Sequence, residues 1–206
     1  MIDRRAILAG LAALAAPRGA SAQGFQPSPD DQRDIARVEG YLDGLRTLRA
    51  RFVQVSDQGA VAEGRLYIQR PGRLRLDYAD PVKLMIVAAR GQLIQHDREL
   101  RQTTYLLLSS TPAAVLLRER VALSGDVNVT GVDRAAGVLR VALVQTSDPR
   151  AGRITLVFGE RPFQLTSWVV VDGQGATTRI TLSEIEPGVA LDPQLFEFRE
   201  EPANRN

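Results

Sequence analysis

Two hydrophobic periods divide the chain. From Ser28 to Leu45 the apolar residues recur at helical spacing: Ile35, Val38, Leu42 and Leu45 lie three, four and three positions apart and form a narrow stripe on one helix face. Ser28-Pro29-Asp30-Asp31 supplies the start of that helix, with a capping hydroxyl, proline at the first helical position and acids in the first turn. Gly40 and Gly44 fall inside the helix, each costing about 1 kcal/mol of helix propensity relative to alanine. The helix therefore needs docking to be stable, and its glycines suggest that it undocks cheaply.

From Arg49 onward the period changes to two. In Arg73-Leu74-Arg75-Leu76-Asp77-Tyr78 the residues Leu74, Leu76 and Tyr78 share one face and the charges the other. The same alternation recurs over 64–70, 138–143 and 153–158, and it places Leu66, Ile68 and Arg70 on one face of their strand. Turn signals punctuate the runs at Asp57-Gln58-Gly59, Pro71-Gly72, Asp80-Pro81, Arg90-Gly91, Asp148-Pro149, Arg161-Pro162 and Asp172-Gly173. The outcome is about eleven short, closely spaced strands, an antiparallel meander rather than βαβ units. One interruption, Ser110-Thr111-Pro112 followed by the apolar run Ala113 to Leu117, predicts a capped helical turn between strands. A sheet this long has one helix and one short apolar segment with which to cover its apolar face, so a strongly curved sheet wrapped around them is the economical arrangement. If those two elements are loosely seated, the inner side becomes a hydrophobic cavity.

Composition narrows the chemistry. Among 206 residues there is no cysteine and one histidine, which excludes disulfides, thiolate metal sites, a cysteine nucleophile and a His-paired zinc site. His96-Asp97 is the one His-acid neighbour pair, and no G-x-S-x-G supplies a nucleophile elbow for it. There is no P-loop, dinucleotide fingerprint or EF-hand loop. Scattered acids such as Glu184, Glu186 and Asp192 leave carboxylate catalysis and all-carboxylate metal sites open on paper, as they do in most chains; the expectation is no catalytic residue, no metal and no cofactor.

Residues 1–22 have the three regions of a cleaved secretory signal: Arg4-Arg5, the apolar run Ala6 to Ala16, and Ala20-Ser21-Ala22 as the cleavage site. Residues 23–206 would then be a single exported domain, introduced by a short proline-containing linker. Arg4-Arg5-Ala6-Ile7-Leu8 also resembles a twin-arginine core, and both export routes stay open. Gln23 rather than cysteine follows the cut, so the lipidation site of a bacterial lipoprotein is missing there. The formal charge of +2 falls to zero once the leader, with Arg4, Arg5, Arg18 and Asp3, is removed. Nothing in that balance calls for a nucleic acid partner.

The run Gly64-Arg65-Leu66-Tyr67-Ile68-Gln69-Arg70-Pro71-Gly72-Arg73-Leu74-Arg75-Leu76-Asp77-Tyr78 resembles the signature hairpin of the outer-membrane lipoprotein carrier family, LolA. Phe52-Val53-Gln54 is similar to that family's first-strand F-x-Q, and Thr111-Pro112 through Leu117 to its T-P helix. The ending is similar as well, from Trp168 through Asp172, Gly175, Thr178 and Ile180 to Leu191-Asp192 and Phe196-Glu197-Phe198. Together these resemblances cover nearly all of the exported part in the family's order.

The resemblance implies a mainly β fold: a half-open antiparallel β-barrel of about eleven strands, with a helical lid over a hydrophobic cavity. It implies a monomeric periplasmic carrier of triacylated lipoproteins, loaded by an inner-membrane lipoprotein-releasing ABC transporter and unloaded onto a LolB-like outer-membrane acceptor. A carrier or sensor of another lipid or glycolipid on the same fold is the alternative. By resemblance Leu66, Ile68, Leu74, Leu76 and Tyr78 line the acyl-binding cavity, although plain core packing uses the same residue types. Leu76 departs from the family, where an aromatic is common at this position. By residue pattern alone Arg70 reads first as a solvated strand-end arginine beside a Pro-Gly turn, and the resemblance reverses this, because Arg70 matches the arginine that latches the lid in the free protein. Ile35, Val38, Leu42, Leu45, Val115 and Leu116 are the lid candidates, with permanent core as the other reading.

Overall fold

The computed structural model describes residues 24–199. Helix α1 spans Pro29–Gly44 and is followed by eleven strands: β1 (Thr47–Ser56), β2 (Val61–Gln69), β3 (Arg73–Tyr78), β4 (Leu84–Ala89), β5 (Gln92–Asp97), β6 (Gln102–Leu107), β7 (Val127–Ala135), β8 (Val138–Gln145), β9 (Gly152–Glu160), β10 (Phe163–Asp172) and β11 (Thr177–Pro187). α1 begins where the sequence places its cap. The Ser28 hydroxyl accepts from the Asp31 N–H at 3.2 Å, and the Asp31 carboxylate accepts in return from the Ser28 N–H at 2.9 Å. This reciprocal pair satisfies two helix-end donors that would otherwise have no partner.

The strands form one antiparallel sheet in the order β6-β5-β4-β3-β2-β1-β11-β10-β9-β8-β7. β1 and β11 pair at its middle, and β6 and β7 are left as unpaired edges, so the barrel is not closed. The chain that joins the two edges, residues 108–126, does not extend the sheet. It forms 3₁₀ turns at Leu108–Ser110 and Pro112–Leu117 and then a loop. One core cluster gathers Val38, Leu42 and Leu45 of α1, Val115, Leu116 and Leu117 of the joining segment, and inward residues of both halves of the sheet, among them Leu66, Leu74, Leu139 and Phe158. α1 and the joining segment therefore cover the inner face between them.

The predicted helical turn at Thr111–Leu117 is 3₁₀, and Thr111 does not cap it: its hydroxyl donates to the Leu108 carbonyl at 2.8 Å. The sheet holds the main chain of this stretch at both ends. The Gln145 amide bonds the Ser109 and Thr111 carbonyls at 2.9 and 3.2 Å, and the Gly72 N–H bonds that of Leu117 at 2.7 Å.

Gly64 is required where β1, β2 and β3 press together. A β-carbon there would lie 2.0 Å from the Asp77 carbonyl oxygen and 2.8 Å from the Phe52 ring. Backbone on one side and a buried ring on the other leave no room to relax. Gly64→Ala is expected to destabilise the fold by about 2–3 kcal/mol, the upper part of the range for overpacking. Chemical denaturation with an unchanged m-value would measure it.

Outside the sheet, a 3₁₀ turn at Pro193–Phe196 packs against β3 and β4, buries Phe196, and is tied down by Arg75, whose Nη1 donates to the Leu195 carbonyl at 2.9 Å. The Phe198 ring beyond it rests 5.3 Å from His96.

Candidate functional site

The alternation of β2 and β3 places Leu66, Ile68, Leu74, Leu76 and Tyr78 on the inner face, all of them buried. Cross-strand pairing sets Leu66 against Leu76 and Ile68 against Leu74, giving an aliphatic wall. Tyr78 closes it at the far end. Its ring meets Phe52 edge-on at 5.0 Å, its hydroxyl donates to Gln54 Oε1 at 2.6 Å, and burial pushes its pKa up to about 12. Val38, Leu42 and Leu45 of α1 and Val115 and Leu116 of the joining segment belong to the same cluster, with Ile35 half-buried against it. The interior is thus shut and filled by its own side chains in this structure.

Arg70 is the charge in that interior. It follows β2 on the inward side, and none of its side-chain surface is exposed. Its Nε donates to the Arg118 carbonyl at 2.7 Å and its Nη1 to the Leu45 carbonyl at 3.3 Å. Nη2 reaches the Arg118 carbonyl again and the Glu119 carbonyl at 3.4 Å, and lies 3.7 Å from Asp43 Oδ1. Burial lowers the guanidinium pKa and the Asp43 charge opposes that shift. A buried cation is tolerated only where acceptors surround it, and here the acceptors are main-chain carbonyls of the covering segment and of the end of α1.

α1 is fastened more firmly than its glycines suggest. Gly40 and Gly44 both face open space, where their only effect is on helix propensity. The other faces of the helix are held by the sheet. Arg134 on β7 bonds Asp31 at 2.8 Å and Asp34 at 2.6 Å. Arg37 bonds Glu160 at 2.9 Å and lies 3.7 Å over the Phe163 ring. Tyr41 meets Phe158 and Phe163 edge-on at 5.6 and 5.8 Å, and those two rings stack at 5.2 Å. These side-chain contacts, which no local spacing displays, act against the undocking that the two glycines favour.

Two more α1 residues escaped the sequence reading. Asp43 Oδ1 accepts from the Val121 N–H at 2.7 Å, and Glu39 Oε1 from the Leu123 N–H at 2.6 Å. Their one signal in the sequence is a spacing of four, which puts both on one helix face. An open cleft of about 560 Å³ runs along the joining segment past Thr111, Pro112, Val115, Val127 and Gln145.

One pH dependence follows from the fastening of α1. Hydrogen bonds from the Ser28 hydroxyl and N–H, and then Arg134, hold the Asp31 carboxyl below its ordinary value of 3.8. A depressed carboxyl pKa stabilises the fold fully above that value, and the stabilisation is lost as pH falls through the lower, folded-state pKa. Asp31→Asn is expected to flatten the acid limb of the stability curve below about pH 4, while lowering stability at neutral pH. Thermal denaturation from pH 6 to pH 2 would measure both.

His96 Nδ1 sits 3.0 Å from Thr103 Oγ1 across β5 and β6, on the outer face with Phe198. Among the described residues no group of three or more His, Cys, Asp or Glu could hold a metal ion, and no helix is long and apolar enough to cross a membrane.

The family model described as outer membrane lipoprotein carrier protein LolA matches residues 43–199. The chain belongs to the LolA family. Two curated relatives agree. An outer-membrane lipoprotein carrier protein of Methylococcus capsulatus is 33% identical over 172 residues, 79% of this chain and 82% of the relative. One of Chromobacterium violaceum is 32% identical over 206 residues, 96% and 91% of the two chains. Among solved structures, a DUF1329 family protein from Desulfovibrio piger shares the fold at a TM-score of 0.51 and 12% identity, covering 84% of this chain and 98% of its own. The LolA match starts at Asp43, so most of α1 lies outside it, whereas Arg70, the inward residues of β2 and β3 and the whole joining segment lie within it. Both curated relatives are named as carriers.

Proposed function

We propose that this LolA-family protein is a periplasmic carrier that takes the acyl chains of triacylated lipoproteins into the interior of its half-barrel. It would receive them from an inner-membrane ABC transporter and pass them to an outer-membrane acceptor of the LolB kind. The observation that carries the reading is Arg70: a fully buried guanidinium in an aliphatic interior, bonded to carbonyls of the segment that covers it. A permanent core has no use for such a charge, whereas a cover that must lift needs a fastening that can be replaced.

Energetics favour a shut resting state. Each buried CH₂ contributes about 0.8 kcal/mol, so three long chains bring on the order of tens of kcal/mol of gross drive. A permanently open cavity would retain its cargo. An interior filled by Val115, Leu116 and Leu117 makes the cargo displace apolar side chains that were already buried, and the difference that remains is small enough for transfer. The single-domain reading of 23–206 and the cleaved leader at 1–22 fit this role, and the leader lies outside the described residues.

The test is to incubate the purified exported chain with spheroplasts and examine the soluble fraction for a one-to-one complex with an acylated lipoprotein, using its unacylated variant as control. Acyl-dependent release is the expected result. Binding of a hydrophobic dye without any release would overturn lipoprotein as the cargo and leave another lipid.

A further inference from the structure

Resting on the carrier reading, we propose that residues 108–126 are the moving gate while α1 stays docked, and that Glu39 and Asp43 are the positioning residues that hold this gate shut together with Arg70. The two covers of the interior are fastened in different ways. α1 is a regular helix seated on β7, β9 and β10 by contacts independent of the gate: Arg134 to Asp31 and Asp34, Arg37 to Glu160 and Phe163, Tyr41 to Phe158 and Phe163. Lifting it would break two ion-pair clusters and an aromatic cluster besides exposing Val38 and Leu42.

The 108–126 segment buries Val115, Leu116, Leu117, Val121 and Leu123 but, among the described residues, makes no side-chain ion pair from its own residues to the sheet. It belongs to no strand ladder, and its main-chain groups are met one at a time by the surrounding sheet and helix. It also leaves the sheet at one free edge, after Leu107, and rejoins it at the other, before Val127. Swinging it outward would break no strand pairing.

Glu39 and Asp43 complete the hold on its second half. Arg70 takes the carbonyls of Arg118 and Glu119, and the two carboxylates take the N–H groups of Val121 and Leu123. The same short stretch is thus gripped through both polarities, by a cation from the sheet and by anions from the helix. Asp43 Oδ1 serves both sides at once, accepting from Val121 while lying 3.7 Å from Arg70 Nη2. Bonds between a carboxylate and a backbone N–H are about twice as strong as neutral ones, and the side chains of Val121 and Leu123 are buried, so an unmet N–H there would be costly. When acyl chains displace the apolar side chains of the gate, one concerted release at Arg70, Asp43 and Glu39 frees it, and α1 remains as a wall.

The chain has no cysteine, so introduced cysteines report without background. Nitroxide pairs would compare two distances from the exposed strand position Arg153→Cys: one to Gly40→Cys on α1, the other to Arg120→Cys on the gate. In the Glu39→Ala/Asp43→Ala background, an outward population of the gate distance is expected to rise about tenfold or more, with the α1 distance unchanged. Glu39→Gln/Asp43→Asn keeps oxygen acceptors without the charge and should give a smaller rise. A shift of both distances together would mean that α1 leaves with the gate, and an unmoved gate distance in a folded variant would show that the carboxylates do not hold it; either result overturns the proposal. No lipoprotein is present in this experiment, so its outcome is separate from that of the spheroplast release.

Discussion

Arg70→Leu is expected to bind hydrophobic cargo more tightly than the unaltered chain and to release it poorly. The substitution removes the donors to the Arg118, Glu119 and Leu45 carbonyls and puts a side chain that needs no partner in their place. What is lost is chiefly stability of the shut state, because an open gate carries the Arg118 and Glu119 carbonyls away from Arg70. Hydrogen bonds to a charged donor contribute about 1.5–3 kcal/mol each, offset by the desolvation of the guanidinium, so a net loss of about 2–3 kcal/mol is reasonable. At about 1.4 kcal/mol per factor of ten, that raises the competent open fraction, and with it the apparent affinity, by about 30- to 100-fold. Dye uptake by the cargo-free protein should rise in step, while transfer to an acceptor membrane falls. A folded Arg70→Leu protein with ordinary dye uptake and ordinary transfer would remove Arg70 as the latch.

Phe158→Ala is expected to be the most damaging of the substitutions considered, by about 3–5 kcal/mol. Phe158 is fully buried, faces Leu139 and Leu165 across its two neighbouring strands, stacks on Phe163 and meets Tyr41 in a T-shaped contact. Truncation leaves a cavity and also removes half of the aromatic seat of α1. The loss should therefore show in two readouts: a lower denaturation midpoint, and loosening of α1, seen as faster proteolysis between Arg33 and Arg46. Phe158→Leu restores most of the volume without the ring and should recover most of the midpoint while leaving α1 loose. If both variants destabilise without loosening α1, the seat lies elsewhere.

These two residues differ in how far they could be read beforehand. Arg70 was legible because alternation through Leu66 and Ile68 carries its side chain inward, and because the hairpin around it resembles the LolA signature. Phe158 shares the same alternating pattern as its neighbours, and nothing nearby in the chain distinguishes it from plain core. The aliphatic wall of β2 and β3 was read correctly as inward, but whether it lined open space or filled core was not decidable from residue types that serve both. The Thr111–Leu117 helical turn was placed correctly, but the hydroxyl read as its cap turns back to the Leu108 carbonyl instead.

What the sequence determined by itself is whatever depends on near neighbours along the chain. The cap at Ser28 needs a partner three residues away, strand faces need a period of two, and turns need a proline or glycine at one place. These suffice for the helix, the eleven strands and the sidedness of most of them. Tertiary structure decided what depends on how the sheet curls. The bulge between Leu165 and Ser167 breaks the alternation of β10 and sets Trp168 and Val170 opposite Leu156 and Ile154. Glu39 and Asp43 find N–H groups 84 and 78 residues further along, and Arg70 finds carbonyls 48 residues away. Such partners meet because the joining segment must cross from one free edge of an unclosed sheet to the other, directly over α1 and the end of β2. That crossing is a property of the closed-up shape, and no local spacing encodes it.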